Sequence, residues 1–206
     1  VDLQKVKSLL DGQIELNCAI SGAGVRLPFG AQIGRTLLEV CEDTVWTRAK
    51  ARAAAASDAR MGGCSLPVVI NSGSGNQGIA STLPVVVYAE ETKASEEQLI
   101  RALVLSHLTV IYIKQSLGRL SALCGCVVAS TGSSCGITYL MGGGYNEVAM
   151  AVKNMVANLT GVICDGAKPS CALKLASAVS TALFSSVMAM EHHCVTSLEG
   201  IVDDDV

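Results

Sequence analysis

The chain has 206 residues, which is enough for one large domain or two small ones and for a sizeable buried core. Half of the residues are hydrophobic, but only 3% are aromatic and 16% are charged, so small and aliphatic side chains dominate. The net charge of −3 and the lack of a basic stripe argue against a nucleic-acid partner. This composition favours helices that pack closely through small side chains.

In the first half of the chain, we predict helices separated by Gly-rich loops. Apolar residues at helical spacing predict a helix over residues 2–14 that ends near Gly12. A Gly-rich loop over residues 22–34 precedes one long, Ala-rich helix over residues 35–60. If any β-structure forms, we expect it in two short apolar runs, at residues 66–70 and 83–88.

The second half predicts further helices. A capping-box pattern opens a helix over residues 95–115, and residues 120–141 predict one or two buried helices. Good N-cap residues open two more helices, over 146–163 and 170–190. We therefore predict a mainly α fold, a compact bundle of buried, small-residue-rich helices with Gly-rich loops and at most minor β, forming a single domain over residues 1–206.

One stretch has the length of a membrane span. No charged residue occurs between Arg119 and Glu147, which exceeds the ~20 residues that a transmembrane helix needs. Its many Ser, Thr and Gly residues favour buried helices in a soluble protein instead. The first residues form an amphipathic segment rather than a long apolar run, so we expect a cytoplasmic protein without a membrane partner. In that reducing compartment the nine cysteines are not expected to form disulfides.

A Gly-rich tract, NSGSGNQGI, occupies residues 71–79. It contains the G-x-G-x-x-G pattern of dinucleotide-binding loops, but Pro84 lies where the following helix should continue and no clean βαβ unit surrounds it. A tight Gly turn is one interpretation. The other, which we favour, is a loop whose N–H groups, together with Ser72, Ser74 and Asn76, bind an anion such as a carboxylate.

Two further residues are candidates for contact with such a ligand. Arg60 can pair with the same carboxylate through both of its terminal nitrogens, or it can pair with Asp58 or lie solvated at a helix end. His107 lies on an otherwise apolar helix, where a buried structural histidine is the commoner outcome and an acid–base or substrate-binding role is the alternative. We include both among the candidate substrate-binding residues.

Two cysteines flank a tight turn. The Gly/Pro turn between Cys164 and Cys171 places the first thiol at the end of one helix and the second at the start of the next. A helix N-terminus stabilises a thiolate, so one interpretation of the turn is half of a metal or cluster site, and the other is a pair of structural free thiols. The close CxxC pairs usual in such sites are missing, and zinc remains an alternative.

Several motifs, taken in order, resemble those of the L-cysteine desulfidases, a family related to the catalytic alpha chain of iron–sulfur L-serine dehydratases. They span essentially the whole chain and are ASDARMGG at 56–63, NSGSGNQGI at 71–79, LSALC at 120–124, ICDGA at 163–167 and SCA at 170–172. The resemblance implies a 4Fe-4S cluster held by Cys124, Cys164 and Cys171. The choice of Cys124 over its neighbour Cys126 follows from the resemblance alone.

The resemblance also implies an activity. The family converts L-cysteine and water into hydrogen sulfide, ammonia and pyruvate, with one iron free of protein ligands to act as a Lewis acid on the substrate. The family's base is a cysteine in a Gly-Cys-Thr-Glu-Pro stretch of an N-terminal half, and this stretch is absent here. We therefore assign no residue as the base.

The absent stretch implies that residues 1–206 are the cluster-bearing C-terminal half of a longer enzyme, inactive without its N-terminal half. Its partners are then that half and a small amino-acid substrate, and a homodimer stays open. One alternative is an L-serine dehydratase. An alternative of another class is a non-catalytic module that binds a small anion or serves as a scaffold.

Overall fold

A computed structural model describes residues 2–118 and 121–205, and these residues form eight helices. In chain order the helices are α1 (Leu3–Arg26), α2 (Ile33–Val40), α3 (Val45–Met61), α4 (Gly75–Thr92), α5 (Glu96–Leu117), α6 (Gly125–Leu140), α7 (Tyr145–Leu159) and α8 (Cys171–Met190). No strand occurs within these ranges, which hold only two isolated bridges, Asn71 with Ser74 and Leu123 with Ile163. The predicted mainly α bundle is confirmed.

Small residues allow the helices to cross at close range. A Cβ atom added at Gly24 of α1 would lie 1.9 Å from the carbonyl oxygen of Ala55 in α3. A Cβ added at Gly132 of α6 would lie 2.3 Å from the carbonyl oxygen of Ser106 in α5. These contacts leave no room for a side chain at either glycine.

Helix α3 lies at the centre of the bundle and contacts α1, α2, α4 and α8. Its alanines from Ala53 to Ala56 are fully buried. Asp58, also buried, accepts a hydrogen bond of 2.9 Å from the N–H of Gly34 and so ties α3 to the start of α2. Burial raises the pKa of this carboxyl group.

Two boundaries in the first half differ from the prediction. Helix α1 does not end near Gly12 but continues to Arg26, so the Gly-rich loop shrinks to residues 27–32. A single glycine inside a helix costs only about 1 kcal/mol, which the packing of the later turns outweighs. The predicted helix over 35–60 is divided into α2 and α3, because Thr44 caps the start of a new helix.

The segments expected to hold any β-structure are not strands. Residues 66–70 are irregular, and residues 83–88 lie within α4, with Pro84 in its interior. An interior proline costs about 3 kcal/mol, but Leu83 and Val85 on either side are fully buried and offset it. Pro84 was therefore the wrong reason to reject a dinucleotide fold. The sound reason is that no strand precedes the Gly-rich tract in the described part of the chain.

Other predicted helix starts are confirmed. The Ser95 hydroxyl accepts a hydrogen bond from the N–H of Gln98, and the Gln98 side chain accepts one from the N–H of Ser95, which completes the capping box of α5. Helix α8 has Ser170 at its N-cap, as predicted, although the Ser170 side chain makes no capping hydrogen bond.

Two helix starts in the second half differ. The predicted helix or pair of helices over 120–141 is a single helix, α6, that begins at Gly125, and Leu120 lies outside the described residues. Helix α7 has Gly144 rather than Asn146 at its N-cap. The side chain of Glu147 accepts a hydrogen bond from the N–H of Gly144 and fixes that start two residues earlier than the predicted Asn cap would.

Among the described residues, one helix is long and apolar enough to pass a length and hydropathy test for a membrane span, namely α8. Half of the tested window is buried inside the protein, where α8 packs against α3, α6 and α7. Core helices pass the same test, so this is weak evidence for a span.

The close approach of α1 to α3 gives a test with an internal control. Gly24→Ala is expected to destabilise the protein by about 1–3 kcal/mol, because its Cβ would meet a backbone oxygen that cannot move alone. Gly12→Ala in the same helix has open space at the new Cβ and is expected to stabilise it by about 0.5–1 kcal/mol. Urea unfolding followed by circular dichroism measures both, and equal effects would contradict the packing described here.

Candidate functional site

A cavity of about 920 Å³ opens where the N-termini of α4, α6 and α8 approach one another. Its wall includes the predicted loop residues Ser72, Ser74 and Asn76 and the predicted cluster residues Cys124, Cys164 and Cys171. The fold therefore brings the two halves of the predicted site to one place. Arg60 and His107 do not line the cavity and lie behind its wall.

The three helix N-termini at the cavity are all uncapped by side chains. Helix α4 follows Ser74, α6 follows Cys124 and α8 follows Ser170, and none of these residues caps its helix through a side-chain hydrogen bond. The first N–H groups of a helix have no carbonyl partner within the helix and carry partial positive charge. The cavity is thus suited to anionic groups, such as a carboxylate or a thiolate.

A tight turn forms one rim of the cavity. Asn71 and Ser74 exchange backbone hydrogen bonds of 3.2 and 3.1 Å, and the two residues between them, Ser72 and Gly73, have φ of 48° and 92°. This is the geometry of a two-residue turn with left-handed central residues. The Ser72 hydroxyl donates to the side-chain oxygen of Asn71 at 2.7 Å, so it supports the turn itself.

The segment around this turn is fixed from beneath by α1. The buried side chain of Asn17 accepts a hydrogen bond from the N–H of Val69 at 3.0 Å and donates to the carbonyl of Gly78 at 3.4 Å. A Cβ at Gly78 would lie 1.9 Å from the carbonyl oxygen of Val69, so glycine is required for this approach. The start of α4 is therefore held against the segment that leads into the turn.

Arg60 supports the site from the end of α3. Its terminal nitrogen Nη1 donates to the side-chain oxygen of Asn76 at 3.2 Å, and the guanidinium lies against the backbone of Gly75. Within the described residues it makes no ion pair, so the alternative pairing with Asp58 is not observed. In this structure Arg60 orients Asn76 rather than facing the cavity.

His107 of α5 lies behind the turn. Its Nδ1 atom is 2.8 Å from the side-chain nitrogen of Asn71 and 3.2 Å from the hydroxyl of Ser81, and its Nε2 is 3.4 Å from the hydroxyl of Thr82. Because the amide nitrogen of Asn71 must donate, Nδ1 accepts and the ring proton lies on Nε2. Burial lowers the pKa of His107 to about 4, so the ring is neutral at pH 7.

The thiols at the other wall form a close group. Cys124 precedes α6, Cys171 begins α8, and both hydrogen bond with Cys126, which also lines the cavity. This hydrogen bonding with Cys126 lowers the pKa of Cys124 and of Cys171 to about 6, and the nearby ammonium group of Lys174 acts in the same direction. The pKa of Cys126 is raised well above the usual value, chiefly by these same partners.

Cys164 reaches the same cavity from the turn between α7 and α8. Its N–H donates to the carbonyl of Ala122 at 2.8 Å, and the N–H of Cys124 donates to the carbonyl of Val162 at 3.0 Å, so the two cysteine segments run side by side. The Cys164 side chain is exposed. The Lys174 ammonium holds this turn through Asp165.

The donors suit a soft metal or an iron–sulfur cluster in kind, since thiolates are the ligands that such groups take. In the described part of the chain, however, no group of three or more His, Cys, Asp or Glu side chains is spaced to hold a metal ion. The three predicted ligands therefore line one cavity, but their side chains are not spaced to bind one metal ion.

Sequence reasoning missed Cys126, Lys174 and Gln77 as cavity residues. The first stands two residues after Cys124, a spacing with no decisive signal. Lys174 lies one helical turn after Cys171, which would have placed both on one face of α8. In the sequence, Gln77 has no distinguishing feature beyond its place in the Gly-rich tract.

The described residues are mainly helical, and their thiol-lined cavity lies where three helix N-termini converge. The chain belongs to the serine dehydratase alpha chain family, whose pattern it matches over residues 1–206. The broader part of the predicted resemblance is thereby confirmed. The narrower assignment to the cysteine desulfidases stays a prediction.

Similar proteins of known sequence are found in several bacteria. The chain is 61% identical to a UPF0597 protein of Bacteroides thetaiotaomicron, over 99% of this chain and 48% of that protein. It is 67% identical to a UPF0597 protein of Bacteroides fragilis, over 86% of this chain and 43% of that protein. It is 52% identical to a UPF0597 protein of Desulfitobacterium hafniense, over 98% of this chain and 47% of that protein. The chain thus spans about half the length of these relatives. No solved structure matches it.

The neutral state of His107 can be tested through pH. Its folded pKa of about 4 lies below the unfolded value near 6.5, so the unfolded chain binds more protons between these values. Stability is therefore expected to fall as pH drops from 6.5 to 4, by up to about 1.4 kcal/mol per pH unit from this group. Urea unfolding at several pH values should show a flatter profile for His107→Gln, which keeps an acceptor for Asn71. Identical profiles would contradict this assignment.

The thiol group can be tested in cluster-free protein. The ultraviolet absorbance of thiolates should titrate near pH 6 for Cys124 and Cys171. Cys126→Ala should move both titrations back toward the ordinary thiol value of about 8.5, because the hydrogen bond is lost. Cys126→Ser is the matched control, since its hydroxyl can still donate. If the pKa values of Cys124 and Cys171 are the same in Cys126→Ala as in the wild-type protein, the role given to Cys126 is wrong.

Proposed function

We propose that this chain is the cluster- and substrate-binding part of an iron–sulfur amino-acid lyase that releases hydrogen sulfide from L-cysteine. The observation that carries the proposal is a single cavity with an anion-binding loop on one wall and the thiols of Cys124, Cys164 and Cys171 on the other. A small amino acid bound across this cavity has its carboxylate and its side-chain sulfur on opposite sides.

The loop wall is proposed to bind the α-carboxylate. Ser74 and Asn76 border the cavity, and the first N–H groups of α4 lie beside them without a side-chain cap. A helix N-terminus in a partly enclosed site favours a carboxylate. Arg60 contributes by fixing Asn76 and by adding positive charge just behind the loop.

The thiol wall is proposed to hold the 4Fe-4S cluster through Cys124, Cys164 and Cys171. When bound there, the cluster supplies an iron without a protein ligand, which acts as a Lewis acid on the substrate. The chain prepares this wall by keeping the pKa of Cys124 and Cys171 low, and by placing Lys174 and two helix N-termini beside the resulting negative charge. Cys164 contributes from an exposed turn.

We assign the proton-abstracting base to the part of the protein outside this chain. His107 is neutral but is separated from the cavity by Asn71 and the turn, which its ring supports. With a base at the Cα proton, sulfur leaves Cβ and takes a proton as hydrogen sulfide. The aminoacrylate left behind reacts with water to give pyruvate and ammonia. Relatives of about twice this length leave room for a segment that supplies the base.

Two other functions use the same cavity. L-serine is favoured as substrate by the family to which the chain belongs, and its elimination releases water instead of hydrogen sulfide. A module that binds a small anion without turnover is favoured for the 206-residue chain alone, because it spans only about half of its relatives. In both cases the carboxylate is bound by the same loop.

Cluster binding is tested by anaerobic reconstitution with iron and sulfide. The protein is expected to gain a broad visible absorbance, and serine substitutions of Cys124, Cys164 or Cys171 are expected to remove it. Cys41→Ser, which changes a cysteine that does not line the cavity, is the matched control. Unchanged absorbance in the Cys164→Ser variant would overturn the proposed ligand set.

The substrate is tested on the product of the full-length gene. L-cysteine should give hydrogen sulfide and pyruvate in equal amounts, with lower turnover of L-serine. Pyruvate from L-serine alone would establish the dehydratase instead. Binding of either amino acid without any product would leave only the anion-binding module and refute the lyase.

A further inference from the structure

We propose that Gln77 binds the α-ammonium group of the substrate and so restricts the cavity to amino acids over other carboxylic acids. This inference rests on the proposed function, because it takes a carboxylate bound at the loop as its starting point. Gln77 is the third residue of α4, lines the cavity and is only 7% exposed.

The first observation is a missing hydrogen bond. The side-chain oxygen of Gln77 is buried, and no hydrogen-bond donor in the described residues reaches it. A buried carbonyl left without a partner is costly, and nearly all such groups in proteins are paired. The oxygen gains no partner where it lies, and a rotation of the amide that turns it toward the cavity lets an ammonium group supply up to three donors.

The second observation is that α4 lacks the capping box for which its sequence has the right residues. Ser74 and Gln77 have the spacing of a capping box, the motif that Ser95 and Gln98 complete at the start of α5. At Ser74 the backbone N–H instead donates to the carbonyl of Asn71, and no side-chain cap forms. The Gln77 amide is thereby released from its usual local partner.

The third observation is the position of this amide between the two walls. A Cβ at Gly125 would lie 2.6 Å from the side-chain nitrogen of Gln77, and Gly125 lies between Cys124 and Cys126. The amide therefore bridges the carboxylate loop and the thiols, where the Cα of a substrate held at both ends must lie. A half-turn about its last side-chain bond exchanges the oxygen and the nitrogen and presents the carbonyl to the ammonium group.

Three other side-chain amides and carboxylates of the wall are less suited to this role. The carboxylate of Asp165 pairs with Lys174, and the side-chain oxygen of Asn76 accepts from Arg60. The amide of Gln115 is exposed, so water satisfies it. The Gln77 carbonyl is thus the enclosed acceptor best suited to the ammonium group.

The test compares an amino acid with its deaminated counterpart, using ligands that cannot react. Calorimetry on the cluster-loaded product of the full-length gene measures the Kd of L-alanine and of propanoate. Wild-type protein is expected to prefer L-alanine by about tenfold to a hundredfold, the usual effect of a hydrogen bond to a charged group. Gln77→Met, which keeps the length but removes the acceptor, should bring the ratio near one without changing the Kd of propanoate.

Two further variants make the result specific. Gln77→Glu keeps an acceptor and should retain or increase the preference for L-alanine, and it gives an independent answer if the Met variant fails to fold. Gln115→Met, a change in the same cavity, should leave the ratio as in wild type. A wild-type ratio in folded Gln77→Met, or a lost preference in folded Gln77→Glu, would overturn the role of Gln77 even if L-cysteine is turned over. Wild-type protein that binds neither ligand would instead overturn the carboxylate site at the loop, on which this inference rests, while product formation tests the lyase separately.

Discussion

The site depends on close contacts at two glycines near the starts of α4 and α6. Gly78 lets α4 begin against the carbonyl of Val69, and Gly125 lets α6 begin against the side chain of Gln77. A methyl group at Gly78 would meet backbone atoms that cannot move alone, whereas one at Gly125 would displace the side chain of Gln77. Glycine is therefore a condition for the site as well as for the core, because these contacts position the starts of two helices that line the cavity.

Polar residues one step behind the cavity provide the remaining rigidity. Asn17, Arg60 and His107 come from three different helices, and each hydrogen bonds to the Gly-rich segment rather than facing the cavity. A turn with left-handed central residues is strained unless its surroundings fix it. The three side chains supply that constraint and so hold the loop in place at the edge of the cavity.

The sequence predicted the helical class, the capping box of α5 and the gathering of loop and cysteines, because these follow from periodicity, local capping and motif order. It could not predict that Pro84 lies inside a helix, since burial of its neighbours decides that. Nor could it separate Ser74 and Asn76, which border the cavity, from His107, which lies behind it. Facing direction depends on tertiary contacts between residues far apart in the chain, and no local pattern encodes them.

The electrostatics of the cavity explain why its thiols and its loop belong together. Two thiols with a pKa near 6 would repel each other and any carboxylate nearby if they stood alone. Three uncapped helix N-termini and the Lys174 ammonium oppose that repulsion from different sides. Hydrogen bonding with Cys126 does most to keep the pKa of these thiols low. The positive surroundings favour a carboxylate beside them. In the proposed function, the thiolate-held group and the anionic substrate therefore depend on the same positive charges, which is a physical reason for the two walls to face one cavity.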